Sequence, residues 1–277
     1  MDLIRKLGEV DTRWLYVLLV IVVLIPMVRP IGLPINVGAQ TDKAFNLIND
    51  LKAGDTVVFD FGYYIDGSPD VQPIAVALFD HLFSKGVKIV CASFKNHGPM
   101  IIDELTAPHE ANGKKYGLDF VNLGFLAGGE TALAAWTADV KKAFPTDWKG
   151  NSTSTMSILQ GIKTASDFDM FVFYTDDSAE VWVRQVSQYK VPLVGGLITV
   201  TAPQAEPFLQ TGQLSGLLVG LRGAAEYEIL TNKPGTAAAG MDAQSMAHLL
   251  LILFIILGNA SYFIKRSKGL AGKEAIQ

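Results

Sequence analysis

Cysteine is almost absent from this 277-residue chain: Cys91 stands alone. An intramolecular disulfide and a cysteine-built zinc site are therefore excluded. Cys91 lies in the apolar run 87–92, where a lone thiol is expected to pack as a small buried hydrophobe. Histidine is scarce too. His81, His97, His109 and His248 have no metal-binding partner at i+4 or a similar spacing. The chain has no Gly-x-Gly-x-x-Gly, no Walker-type lysine and no Gly-x-Ser-x-Gly elbow. Positive charge is thin in the middle. Of 23 Lys+Arg and 27 Asp+Glu, seven bases and four acids sit in the two tails, which leaves the central region near −7. An acidic domain repels polyanions, so nucleic acid is not an expected partner. No cofactor and no resident metal is expected.

What the chain has in plenty is apolar sequence at both ends. The first run covers 15–28, after Trp14, and contains Pro26. The second covers 246–264 and is closed by Lys265 and Arg266. A spanning helix needs about 20 apolar residues for ~30 Å of hydrocarbon. The first run is short by that measure, but Ile31, Leu33 and Ile35 extend it. Val37-Gly38-Ala39 fits a signal-cleavage pattern, yet the apolar run ends well before it, so an uncleaved anchor is expected. Arg5, Lys6 and Arg13 precede the first run; Lys265, Arg266, Lys268 and Lys273 follow the second. This bias places both tails in the cytoplasm. The expected order is a cytoplasmic tail (1–13), a first span and exit (14–34), an extracytoplasmic α/β domain (35–240), a second span (241–264) and a second cytoplasmic tail (265–277). The membrane would be the cytoplasmic or inner membrane. The sequon Asn151-Ser152-Thr153 is compatible with that side.

The region between the anchors alternates two kinds of pattern. Short apolar, β-rich runs occur at 56–61, 87–92, 119–123, 170–174 and 192–200. Amphipathic stretches at 41–51, 73–84, 130–144, 155–164 and 179–189 carry apolar residues at helical spacing. Strands alternating with helices favour parallel pairing through crossovers. The continuous apolar character of the strands fits a sheet covered on both faces. The expectation is a three-layer α/β sandwich with a five-stranded, mostly parallel sheet, which resembles Rossmann- and flavodoxin-like folds.

In such sheets ligands bind beyond the carboxyl ends of the strands. Asp60, Ser93, His97, Asp176 and Asp177 fall there. Together they offer carboxylates, a hydroxyl and an imidazole for a polar solute or a cation. The plainer reading makes the aspartates helix caps, Asp177 before Ser178-Ala-Glu180 above all. His97 near Asp60 would suit a general base, although a solvated loop histidine is commoner. Gly128-Gly129-Glu130 opens a helix, but Glu130 would repel a phosphate there.

Gly212, Gly216, Gly220 and Gly223 read as a glycine ridge on a helix over 210–227, either packed on the domain's own sheet or forming a subunit contact. Asn259, among small residues near the end of the second span, can bond to a neighbouring helix. Three functional classes follow. The first is a double-anchored, non-catalytic scaffolding subunit that assembles with copies of itself or with other membrane proteins. The second is a membrane-tethered binding or sensor domain for a small molecule. The third is a metal-dependent hydrolase.

Overall fold

A computed structural model describes residues 11–274, with side chains to Ile264 and at Arg266. Arg5 and Lys6, and the side chains of Lys265, Lys268 and Lys273, lie outside the described residues. The chain divides into two compact units, one of residues 35–237 and one of the segments that precede and follow them.

In the larger unit, β1 (Thr56–Gly62), β2 (Lys88–Ser93), β3 (Phe120–Phe125), β4 (Met170–Thr175), β5 (Leu193–Leu197) and β6 (Gly216–Val219) form one sheet. Its order is β3-β2-β1-β4-β5-β6, and every pair is parallel. The chain starts in the middle, runs out to one edge, crosses back through residues 126–169 and runs out to the other edge. This is the Rossmann order, and its direction reverses between β1 and β4.

The sheet has six strands, not five. β6 was hidden in the segment that the glycine spacing suggested was one helix. Instead Gly212 turns with φ +77°, Gly216–Val219 is extended, and Gly220, at φ +55°, starts a helix over Gly220–Leu230. The four-residue glycine period is thus coincidental: each glycine serves a different local geometry. A Cβ on Gly216 would meet Ala44 at 3.0 Å, one on Gly220 would collide with the Thr199 hydroxyl, and one on Gly223 would press the Leu218 backbone at 3.2 Å. All of these contacts lie inside the domain.

The helices preceding the rearward tail are α1 (Thr12–Val28), α2 (Ala39–Asn49), α3 (Ser68–Lys85), α4 (Gly98–Ala111), α5 (Glu130–Ala138), α6 (Val140–Ala143), α7 (Glu180–Val186), α8 (Ala202–Gln210) and α9 (Gly220–Leu230). α3 shows how the sequence writes one. Pro69 sits in the first turn, where its missing N–H costs nothing, and Gly86 closes the helix at φ +75°. Val71, Ile74, Ala75, Leu78, Phe79 and Leu82 form its buried stripe. α4 was unforeseen because it contains Pro99 and Pro108: Pro99 sits in the first turn, where its missing N–H costs nothing, and Pro108 lies inside the helix close to its end, where it forgoes one helical bond. The helix expected over 155–164 is instead a set of single turns at Thr153–Thr155, Ser157–Leu159 and Ala165–Asp167.

α10 (Thr236–Glu274) is the longest helix. Its stretch Thr236–Ile264, 29 residues, is long and apolar enough to cross a membrane, and among the described residues it alone is so. α1 is apolar but has 17 residues, about 26 Å at helical rise, short of the ~30 Å core. In the smaller unit, the buried Asp242 carboxylate accepts the backbone N–H groups of Ile31 (2.7 Å), Gly32 (2.8 Å) and Leu33 (3.0 Å).

Candidate functional site at the reversal of strand order

Side chains alternate across a strand, so β1 sends Phe59, Phe61 and the following Tyr63 to one face of the sheet. There they meet Phe79 of α3 and Tyr174 of β4 (ring centroids 4.9 Å for Phe59–Phe79 and 5.2 Å for Phe61–Tyr174). Val58, Asp60 and Gly62 point to the other face, where α5 and α7 pack.

Asp60 is fully buried. Trp182 of α7 donates its indole N–H to Oδ2, while Oδ1 has no partner of hydrogen-bonding geometry. Burial pushes the carboxyl up to about 7, against the smaller opposing effects of the Trp182 indole, the Phe94 amide and the Lys95 ammonium. The Trp182 ring stacks on Phe173 at 5.0 Å and 7°. Its far edge lies over Gly62, where a Cβ would come within 2.6 Å of Cζ2 and 2.9 Å of the Tyr174 carbonyl. Glycine at 62 is what lets the indole lie flat against β1.

A cavity of about 220 Å³ opens above this pair. Its walls come from the end of β1 and from the segments after three other strands: Gly62 closing β1, Phe94 and Lys95 after β2, Gly129, Glu130 and Leu133 after β3, and Asp177, Ser178, Glu180, Val181 and Trp182 after β4. It therefore occupies the position where the strand order reverses, beyond the carboxyl ends. It is smaller than the ~300–1,000 Å³ usual for drug-sized ligands.

Charges ring the cavity. Arg184 grips Glu130 through Nε (2.6 Å) and Nη2 (2.9 Å) and reaches Glu180 through Nη1 (2.8 Å). Gln185 adds a bond to Glu130 (2.8 Å), and these partners, Arg184 first, hold the Glu130 carboxyl below its usual range. Lys95 lies 3.4 Å from Asp176 and 4.0 Å from the centre of the Tyr64 ring. The other oxygen of Asp176 accepts the Tyr64 N–H at 2.8 Å.

The five residues expected at the rim thus have different fates. Ser93 is buried and engaged: its one hydroxyl proton is within reach of the carbonyls of Phe61 (2.7 Å) and Lys95 (2.8 Å), and its oxygen accepts the Lys95 N–H (3.0 Å). Asp177 lines the cavity and accepts the Ser178 N–H at 2.8 Å. It does not cap α7; the Ser178 hydroxyl accepts the Glu180 N–H instead (3.3 Å). His97 belongs to a second cavity of about 330 Å³, with Ile65, Gln72, Met100 and Glu104, and its ring packs edge-on to Tyr64. It does not pair with Asp60. Among the described residues, no three His, Cys, Asp or Glu side chains gather as metal ligands.

Away from the rim, His81 shares a 2.7 Å bond with the Tyr227 hydroxyl, and His109 lies 3.3 Å from Asp80. Asn259 donates to the carbonyl of Ile255 in its own helix (2.8 Å). Sequence reasoning missed Gly62, Trp182 and the Glu130–Arg184 bridge. Gly62 sits two residues beyond Asp60 on one strand face, and Trp182 lies in the first turn after β4. That pattern singles them out only once the strand order is known. No family model, no curated protein and no solved structure matches this chain.

Proposed function

We propose that this protein is a membrane-tethered binding or sensor domain for a small solute, with its site in the cavity between the carboxyl ends of β1 and β4. One observation carries the reading: the end of β1 and the segments that follow β2, β3 and β4 converge on a small cavity at the reversal of strand order, walled by Trp182, Leu133 and Phe94 and edged by Lys95 and Asp177. Apolar walls with a few placed polar groups are what small-ligand sites offer.

The scaffolding reading loses one of its supports, the glycine ridge, because Gly216, Gly220 and Gly223 pack against Ala44, Thr199 and Leu218 of the same domain. It now rests on the apolar faces of α1 and α10. The hydrolase reading lacks an assembled donor set, since His97 lines a different cavity and Asp60 is buried behind Trp182.

Within this proposal α10 anchors the chain and α1 forms a second, shorter anchor lengthened by Ile31 and Leu33. Both tails face the cytoplasm and the domain faces outward. The basic residues Arg13 and Arg266, which flank the apolar stretches of the two helices on the tail side, support this arrangement.

The test is native mass spectrometry of the full-length chain, extracted gently from its own membrane. A monomer carrying a small-molecule mass, lost on Trp182→Ala, is the expected result. A defined oligomer with no bound small molecule overturns the proposal in favour of the scaffold.

A further inference from the structure

The charges around the cavity are unequal. Two cations, Lys95 and Arg184, face four carboxylates: Glu130, Asp176, Asp177 and Glu180. The cations are also committed. Arg184 bridges Glu130 and Glu180, and Lys95 is held between Asp176 and the Tyr64 ring. Asp177 is different. It lines the cavity, its only side-chain bond is the Ser178 amide to Oδ1, and it has no ion pair among the described residues.

A second, independent observation points the same way. Asp60 is enclosed by Trp182, Phe94 and Lys95, three of the cavity's own lining residues, with Oδ1 unpartnered. Above its titration near 7, where the test below is run, this buried carboxylate behind the wall makes the cavity still less hospitable to an anion. The start of α5 offers backbone N–H groups, but Glu130 stands there with its own negative charge. The rest of the lining is apolar: Leu133, Val181, Phe94 and Trp182.

We infer that the cavity takes a small organic ammonium ion with a compact apolar body, its charge turned to Asp177 and its body against Trp182, Leu133 and Val181. This rests on the binding reading above and names the ligand class for the same site. An amine satisfies the one uncommitted carboxylate, and the apolar body displaces water from walls that cannot bond to it. An acid of the same shape would meet surplus carboxylates and would have to break the Lys95–Asp176 pair.

The experiment is isothermal titration calorimetry of the full-length protein in detergent at pH 8 with three probes of one shape: phenethylamine, phenethyl alcohol and hydrocinnamate. The amine is expected to bind about tenfold or more tighter than the alcohol, and the acid weakest. Asp177→Asn is expected to bring the amine-to-alcohol ratio close to one, while Asp50→Asn, an equal charge change at the other end of the sheet, leaves it intact. If the acid binds tightest, or if Asp177→Asn keeps the amine preference, the ligand class is wrong and the binding site survives. If no probe binds and a ligand-observed NMR screen of neutral, cationic and anionic fragments finds nothing sensitive to Trp182→Ala, the binding reading falls as well.

Discussion

The two faces of β1 have been put to opposite uses. Phe59, Phe61 and Tyr63 drive into an aromatic layer with Phe79 and Tyr174, each fully buried, in which the Tyr63 and Tyr174 hydroxyls also lack a hydrogen-bond partner. One residue out of step, Asp60 and Gly62 face a layer that is deliberately incomplete: a carboxyl with an idle oxygen, a missing side chain and a cavity above. The same seven-residue strand therefore carries an aromatic core on one side and the candidate site on the other. Strand alternation makes the separation possible, because neighbouring residues never share a face. Local imperfection is tolerated on one face because the other is filled.

Three substitutions test that division. The largest effect belongs to the aromatic face. Phe61→Ala should cost about 3–5 kcal/mol through lost burial and a cavity. Thermal melting would show it as a large drop in midpoint, with ligand affinity in the surviving folded protein little changed. A small drop would mean that this face is not the stabilising one.

Next comes Asp60. Its folded carboxyl titrates at about 7 against an ordinary 3.8. Between those values the folded chain keeps a proton that the unfolded chain has released. The contribution of Asp60 to stability therefore falls as pH rises from about 4 to about 7, by a total on the order of 4 kcal/mol, and levels off above. Asp60→Asn retains an acceptor for the Trp182 indole and removes the titration. Its melting curve should gain on the unsubstituted protein across that window; parallel profiles for the two would refute the burial argument.

The smallest of the three is Gly62→Ala. Its methyl must displace either Trp182 or the Tyr174 carbonyl, a cost of about 1–3 kcal/mol for overpacking. The indole fluorescence should shift and the cavity should lose its ligand while the aromatic face stays intact. An unchanged spectrum would show that the indole is not pinned to β1.

Much of the architecture was legible in the sequence. Five strands could be read because runs such as Thr56-Val-Val-Phe-Asp-Phe61 are short, β-branched and bounded by turns. Asp60 and Asp177 were rightly placed near strand ends. What the sequence withheld was spatial order. Nothing local says that β4 returns to the side of β1, so nothing local says that Gly62 and Trp182 will meet. β6 escaped for a different reason. Gly216–Val219 is only four residues long, and its glycine coincided with a helical period set by glycines that perform unrelated turns. The first apolar run was already short in the sequence, and helix length keeps that difference: 17 residues in α1 against a 29-residue stretch in α10.

Cys91 carries a practical consequence. It is wholly buried in β2, and burial holds its thiol well above its usual range. A thiol that is both inaccessible and protonated does not react with maleimides in the folded state. The natural chain is thus a silent background for site-directed labelling. A single cysteine placed at exposed Val200, or at exposed Arg266, becomes the one reactive handle on the molecule. Membrane-impermeant reagents applied to intact cells would then report, position by position, which side of the bilayer each part of the chain occupies.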